Sequence, residues 1–335
     1  MPQYLSSPTH SLTVPSIYDG TQLACRIYLP QQLLNPNVSS QWRVRGAIVA
    51  HPYASLGGCY DDPVVSFIGG ELLEAGYVVG TFNFRGAGDS HGRTSWTAKP
   101  ELADYVSVYG FMMLYLRCLK LELTHQSDEK GTEEGIHLIL GGYSYGSLVA
   151  SHLPESEVVA DVFKNAIQHT PAHKIFLTAK AICASSRDEI PQLNSSTNLD
   201  AANLGQEARP LLQSCGTTIS YLLVSPLLPP INLLLTLFLD LSLEVHTQAS
   251  GQRRQIPCPK PTDQLRAHET LAIYGDEDTF TSVSKLRKWS GELSGVSQSQ
   301  FQSKEIEGAG HFWREDGVEQ QARRALRLWL RQHPD

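Results

Sequence analysis

No two cysteines in this 335-residue chain form a C-x-x-C pair; the six, Cys25, Cys59, Cys118, Cys183, Cys215 and Cys258, are scattered along it. That spacing excludes a zinc cluster built on paired thiolates and a dense disulfide framework, and it predicts reduced thiols. Basic character is equally scarce. There is no Lys/Arg run and the formal net charge is −7, so no positive field draws a phosphate backbone and nucleic acid is not an expected partner. The opening residues MPQYLSSPTHSLTVPS contain neither a charged n-region nor a continuous apolar h-region, which predicts a cytoplasmic rather than a secreted protein. The sequons at Asn37 and Asn194 then read as polar loops. No internal repeat is present.

One stretch approaches the length of a membrane span, YLLVSPLLPPINLLLTLFLDLSL at 221–243. Pro226, Pro229 and Pro230 interrupt it, and Asn232, Thr236, Asp240 and Glu244 recur every four residues as a polar stripe. The expectation is a strand, a turn and then an amphipathic helix over 231–243, with no integral membrane span.

What the chain does contain is ordinary globular composition, 41% hydrophobic and 18% charged, with length for a large core. Two short apolar runs about Asp19-Gly20 predict a β-hairpin, followed by a polar linker at 31–43. Strand-like GAIVAH (46–51), helical 64–76, strand-like YVVGTFNF (77–84), helical 101–121 and strand-like IHLILGG (136–142) then alternate. Regularity fails between 155 and 217, which reads as an insertion after the helix that follows Ser144. Alternation resumes with strands at 219–225, 271–275 and 301–307 and helices at 281–293 and 315–332. This order predicts a parallel sheet with helices on both faces, whose ligands bind beyond the carboxyl ends of the strands.

LILGGYSYGSLVA, residues 138–150, carries an apolar run into Gly-Tyr-Ser-Tyr-Gly and then into helix formers. A strand-to-helix turn this tight needs Gly142 and Gly146 without β-carbons and lifts Ser144 as an exposed hydroxyl. A serine hydroxyl is a poor nucleophile without a base held in one tautomer by a carboxylate. Among twelve histidines, His311 in IEGAGHFW follows the last strand through a glycine-rich loop. The strand at 219–225 ends in VSPLLPP, with no acid, whereas YGDEDTF places Asp276, Glu277 and Asp278 directly after the next strand.

The order Ser, Asp, His along an alternating chain, with HPYASLGG, NFRGAGDSHG, GGYSYG, YGDEDTF and GAGHFW in sequence, resembles the α/β-hydrolase-fold serine hydrolases over nearly the whole length. It is similar in particular to small intracellular members with an N-F-R-G-x-G-x-S turn after the fourth strand. The resemblance implies an α/β-hydrolase fold, in which the insertion at 155–217 and the helix at 231–243 lie near the top of the sheet, either as a lid-like cap over an acyl pocket or as simple packing. It also implies Ser144 as nucleophile, His311 as general base and Asp278 as orienting acid, with Asp276 the alternative.

By the same resemblance the oxyanion hole takes the backbone N–H groups of Tyr145 and Tyr53, with Ala54 next in line; Pro52 has no N–H to offer. His51 reads as a structural loop residue. Arg85 is expected to pair with a carboxylate and hold the glycine-rich turn, without chemistry of its own. No metal or cofactor is implied, and the expected partner is a small, partly apolar acyl substrate. Carboxylic ester or thioester hydrolysis is the leading expectation. Peptide or carbon–carbon bond cleavage, acyl transfer, and a non-catalytic protein on the same fold are the alternatives.

Overall fold

A computed structural model describes residues 4–35, 42–124, 135–164, 166–190, 208, 211–212, 216–246 and 253–332. Both sequons, Asn37 and Asn194, and Cys215 lie outside them. Eight strands form one sheet in the order β1-β2-β4-β3-β5-β6-β9-β10: β1 His10–Pro15, β2 Gln22–Tyr28, β3 Arg45–Ala50, β4 Val78–Phe82, β5 Ile136–Tyr143, β6 Thr217–Val224, β9 Glu269–Gly275 and β10 Phe301–Ile306. β1 and β2 are the Asp19-Gly20 hairpin, and β2 runs antiparallel to β4; the other neighbours pair in parallel. β7 Ser242–His246 and β8 Arg253–Pro257 make a separate antiparallel pair.

Alternation along the central strands explains why both faces are covered. Ile48, Ala50, Leu138 and Leu140 point into one apolar cluster, while Ala47, Val49 and Ile139 point into the other. Helices α2 Pro63–Glu74 and α10 Val318–Leu330 close the second face. The first is filled by α3 Lys99–Thr124, α4 Tyr145–Ala150, α5 Ser156–Lys164 and α6 Pro171–Glu189. Residues 101–119 of α3 are buried without interruption. A helix buried all round needs neighbours all round, and α6 supplies the outer one by packing along α3 and against β1.

Three expectations are corrected here. The stretch 155–217 is not aperiodic throughout: α5 and α6 occupy 156–164 and 171–189. α6 is capped by Thr170, whose Oγ accepts from His173 N–H at 3.2 Å, and Pro171 opens it. Its residues Ala172, Ile175, Phe176, Ala179 and Cys183 enter the core at helical spacing, so this part is framework. The polar centre of the predicted insertion, 191–207, lies outside the described residues.

The amphipathic helix expected over 231–243 is one short helix, α7 Ile231–Leu235, which ends where Leu237 (φ 49°) and Phe238 (φ 58°) turn left-handed; β7 then begins at Ser242. The predicted linker at 31–43 starts with a helical turn, α1 Gln31–Leu34, that buries Leu33. Among the described residues no helix is long and apolar enough to cross a membrane. The remaining helices are α8 Pro261–Ala267 and α9 Val283–Ser294.

Candidate active site

Ser144 stands between β5 and α4 with φ 55° and ψ −112°. A non-glycine residue there stores on the order of 1–3 kcal/mol of strain and persists only when its surroundings hold it. They do: Ser144 N–H donates to the Val224 carbonyl of β6 at 2.8 Å. The flanking glycines are demanded by close approach. A Cβ on Gly146 would stand 2.4 Å from the Ala50 carbonyl oxygen, and one on Gly142 2.3 Å from the Gly146 carbonyl carbon. The turn is therefore pressed against the end of β3, and the hydroxyl projects from the carboxyl edge of the sheet.

His311 arrives on the loop after β10. That loop crosses the end of β9, where a Cβ on Gly275 would lie 1.9 Å from the Ala309 carbonyl oxygen. His311 Nε2 is 2.9 Å from Ser144 Oγ, and its Nδ1 is 2.7 Å from Asp278 Oδ2. A carboxylate only accepts, so Nδ1 carries the proton and Nε2 is free to accept from the serine hydroxyl. The second carboxylate oxygen of Asp278 accepts from Phe280 N–H at 2.8 Å and Thr281 N–H at 3.0 Å. All three residues are buried, Ser144 included, where the turn alone predicts an exposed hydroxyl.

Asp276 is committed elsewhere: its Oδ1 accepts from Gly308 N–H at 2.7 Å and ties β9 to the histidine loop. The structure thus brings together Ser144, His311 and Asp278 and leaves Asp276 outside the chain of hydrogen bonds. Phe280 stacks on the His311 ring at 4.2 Å between centroids, and exposed Phe312 stands edge-on to both. Tyr143 donates its hydroxyl to the His311 carbonyl at 2.7 Å. Phe280, Phe312 and Tyr143 escaped the sequence reading, although each sits within two residues of a predicted site residue or beside one.

Tyr145 is the first residue of α4, and Tyr53 precedes a 3-10 turn, Ala54–Leu56, after β3; their rings meet edge-on at 5.1 Å. His51 is fully buried, with Nε2 accepting from Phe84 N–H at 2.9 Å and Nδ1 donating to the Pro52 carbonyl at 2.5 Å. Both ring nitrogens are used in the neutral form, and burial pulls the imidazole down to about 4. Arg85 forks onto Asp104 at 2.9 and 2.7 Å and reaches Asp19 at 3.0 Å, fastening the turn after β4 to α3 and to the β1–β2 hairpin.

No family model matches the sequence, and a search of curated proteins finds no relative. Solved structures do match. An α-β serine hydrolase homologue from Coxiella burnetii superposes with a TM-score of 0.50 at 17% identity, covering 97% of this chain and 98% of that one. A Xanthomonas campestris protein described as an a/b serine hydrolase without lid gives 0.50 at 17% identity, covering 99% and 98%. Strand order, pairing and these likenesses together define the class: the chain has the α/β-hydrolase fold, a mostly parallel sheet flanked by helices.

Proposed function

We propose that the chain is a serine hydrolase that cleaves a carboxylic ester or thioester through an acyl-enzyme on Ser144. The observation that carries this reading is the unbroken hydrogen-bond chain from Ser144 Oγ through His311 to Asp278. In the first half-reaction Oγ attacks the acyl carbonyl carbon while its proton passes to His311 Nε2; the imidazolium then protonates the leaving alcohol or thiol. Water, deprotonated by the same Nε2, attacks the acyl-enzyme and returns Ser144 with release of the acid. Asp278 holds the tautomer and stabilises the imidazolium between the two steps.

Negative charge on the carbonyl oxygen requires donors, and the backbone N–H groups of Tyr145 and Tyr53 take that role in this reading. A donor of this kind contributes on the order of 3 kcal/mol to the transition state. Tyr145 opens α4, where N–H groups lack intrahelical acceptors, which supports the first of them. Phe280 and Phe312 beside His311 favour a substrate with an apolar acyl part. A panel of acyl p-nitrophenyl esters and acyl thioesters, run on the native chain and on Ser144→Ala, tests the reading. Turnover should fall by about 10⁴-fold or more in the variant. Equal turnover in both would remove Ser144 from the mechanism.

A further inference from the structure

Between the end of β6 and the start of β7 the chain presents apolar side chains to solvent in a way the core does not require. Leu233, Leu234, Leu237, Phe238 and Leu239 are between 38% and 67% exposed. Scattered exposed apolar side chains are ordinary, but five within seven residues form a patch that calls for an occupant. No charged side chain occurs from Pro226 through Leu239.

The segment is rooted beside the site. Val224, two residues before it, accepts the Ser144 N–H, and Leu228 N–H donates to Thr281 Oγ1 at 3.3 Å in the loop that also holds Asp278. Lys285 Nζ donates to the Pro229 carbonyl at 3.0 Å, and Glu244 beyond the segment pairs with Lys99 at 3.1 Å. Held at both ends, it forms a ledge at the carboxyl edge of the sheet.

The backbone of the ledge is compatible with a hydrocarbon surface. The N–H groups of Leu233, Leu234, Thr236, Leu237, Phe238 and Leu239 all find acceptors between Pro230 and Thr236, the first on the Asn232 side chain. Thr236 Oγ1 donates back to the Leu233 carbonyl at 3.3 Å. A protein interface surrounds its apolar centre with a polar rim and with hydrogen bonds across to the partner, and this segment offers no charged side chain for either. Hydrocarbon rewards a surface whose polar groups are satisfied from within, because any group left unpaired there costs several kcal/mol. The segment itself carries no charged side chain, so apolar contact rather than attraction to anionic headgroups carries the seating.

We propose that Pro230–Leu239 is a lipid-contacting ledge that seats the protein on neutral lipid surfaces, so that esters or thioesters of lipid-borne acyl chains reach Ser144 without leaving the aggregate. The substrate class rests on the acyl-enzyme reading above; the seating itself does not.

Flotation with phosphatidylcholine vesicles, carried out on the full chain bearing Ser144→Ala, separates the two. The protein should float with the vesicles at low and at high salt alike. Adding Leu234→Glu and Phe238→Glu should weaken flotation by at least about tenfold. The milder pair Leu234→Gln and Phe238→Ser should reduce it in the same direction, and both should keep the parent's thermal midpoint. With Ser144 intact, the Glu pair should lose turnover of a vesicle-embedded long-chain ester and keep turnover of a water-soluble short-chain ester.

The ledge proposal falls if the parent does not float, or if both pairs float as the parent does. It also falls if, without lipid, the parent self-associates and the Glu pair abolishes that association, which would make the patch a protein interface. Failure of Ser144 to support ester turnover would overturn the acyl-enzyme reading and leave the flotation result standing.

Discussion

Trp313 Nε1 donates to Ser225 Oγ at 2.9 Å, and both residues are left-handed, with φ 57° and 47°. Trp313 sits two residues past His311, and Ser225 sits at the end of β6 directly after the carbonyl that accepts the Ser144 N–H. The bond therefore spans the histidine loop and the strand that backs the serine turn, joining two strained positions across the site. Trp313→Phe keeps most of the ring and deletes the donor, leaving a fully buried hydroxyl without it. Urea unfolding should show a loss of about 1–3 kcal/mol. In the hydrolase reading kcat should fall by about 10- to 100-fold with KM nearly unchanged, because a loosened His311 misplaces the base without touching the substrate. An unchanged kcat would make the bond purely structural.

The two aspartates of GDEDTF separate by partner. Asp278→Asn puts an amide where His311 Nδ1–H needs an acceptor and favours the wrong tautomer, so kcat should drop by about 10³- to 10⁴-fold. Asn at 276 can still accept from Gly308 N–H, and Asp276→Asn should cost less than about tenfold. Steady-state kinetics on both variants checks the ranking; a reversed order would assign the orienting role to Asp276.

α6 is part of the framework, and that too is measurable. Phe176 lies 1% exposed in the core that covers α3. Phe176→Ala should destabilise the protein by about 3–5 kcal/mol in denaturant. A midpoint equal to the parent's would mean that α6 can leave α3 at little cost, as a movable cover would.

Stability should depend on pH through His51. Its folded value of about 4 lies below the ordinary value near 6.5, so between these two the unfolded chain binds the extra proton and the native state does not. The stabilisation is complete above about 6.5 and is lost as pH falls toward 4. His10 and His152, also lowered by burial, act in the same direction. Comparing thermal midpoints at pH 7.5 and 5, His51→Gln should lose less on acidification than the parent, since it has no proton to gain. An identical loss would show that His51 does not contribute to the acid sensitivity.

Much of this was legible in the sequence because the informative residues act locally. Ser144 is marked by glycines that leave room for the Ala50 carbonyl, and the strands are marked by apolar runs that alternate between two covered faces. Asp276 and Asp278 could not be separated from spacing, since the difference lies in which of them meets Gly308 and which meets His311, a consequence of how the β9 and β10 loops cross. The misread segments had signals that pointed elsewhere. Thr170-Pro171 is a helix start, and 172, 175, 176, 179 and 183 share a helical face, yet the polar residues that follow masked both. In 231–243 the four-residue recurrence of Asn232 and Thr236 imitated an amphipathic stripe, whereas their side chains bond locally and the helix ends at Leu235. The Trp313–Ser225 bond joins residues 88 apart and left no mark in either local sequence.

The central claim is that Ser144 is activated by His311 and Asp278, and covalent labelling with a fluorophosphonate tests it most directly. The native protein should take up one label, mapped by peptide mass to Ser144. Ser144→Ala should take up none, and Asp276→Asn should label as the native protein does. Label found at Ser144→Ala in undiminished amount, or no label on the native chain, would contradict the account.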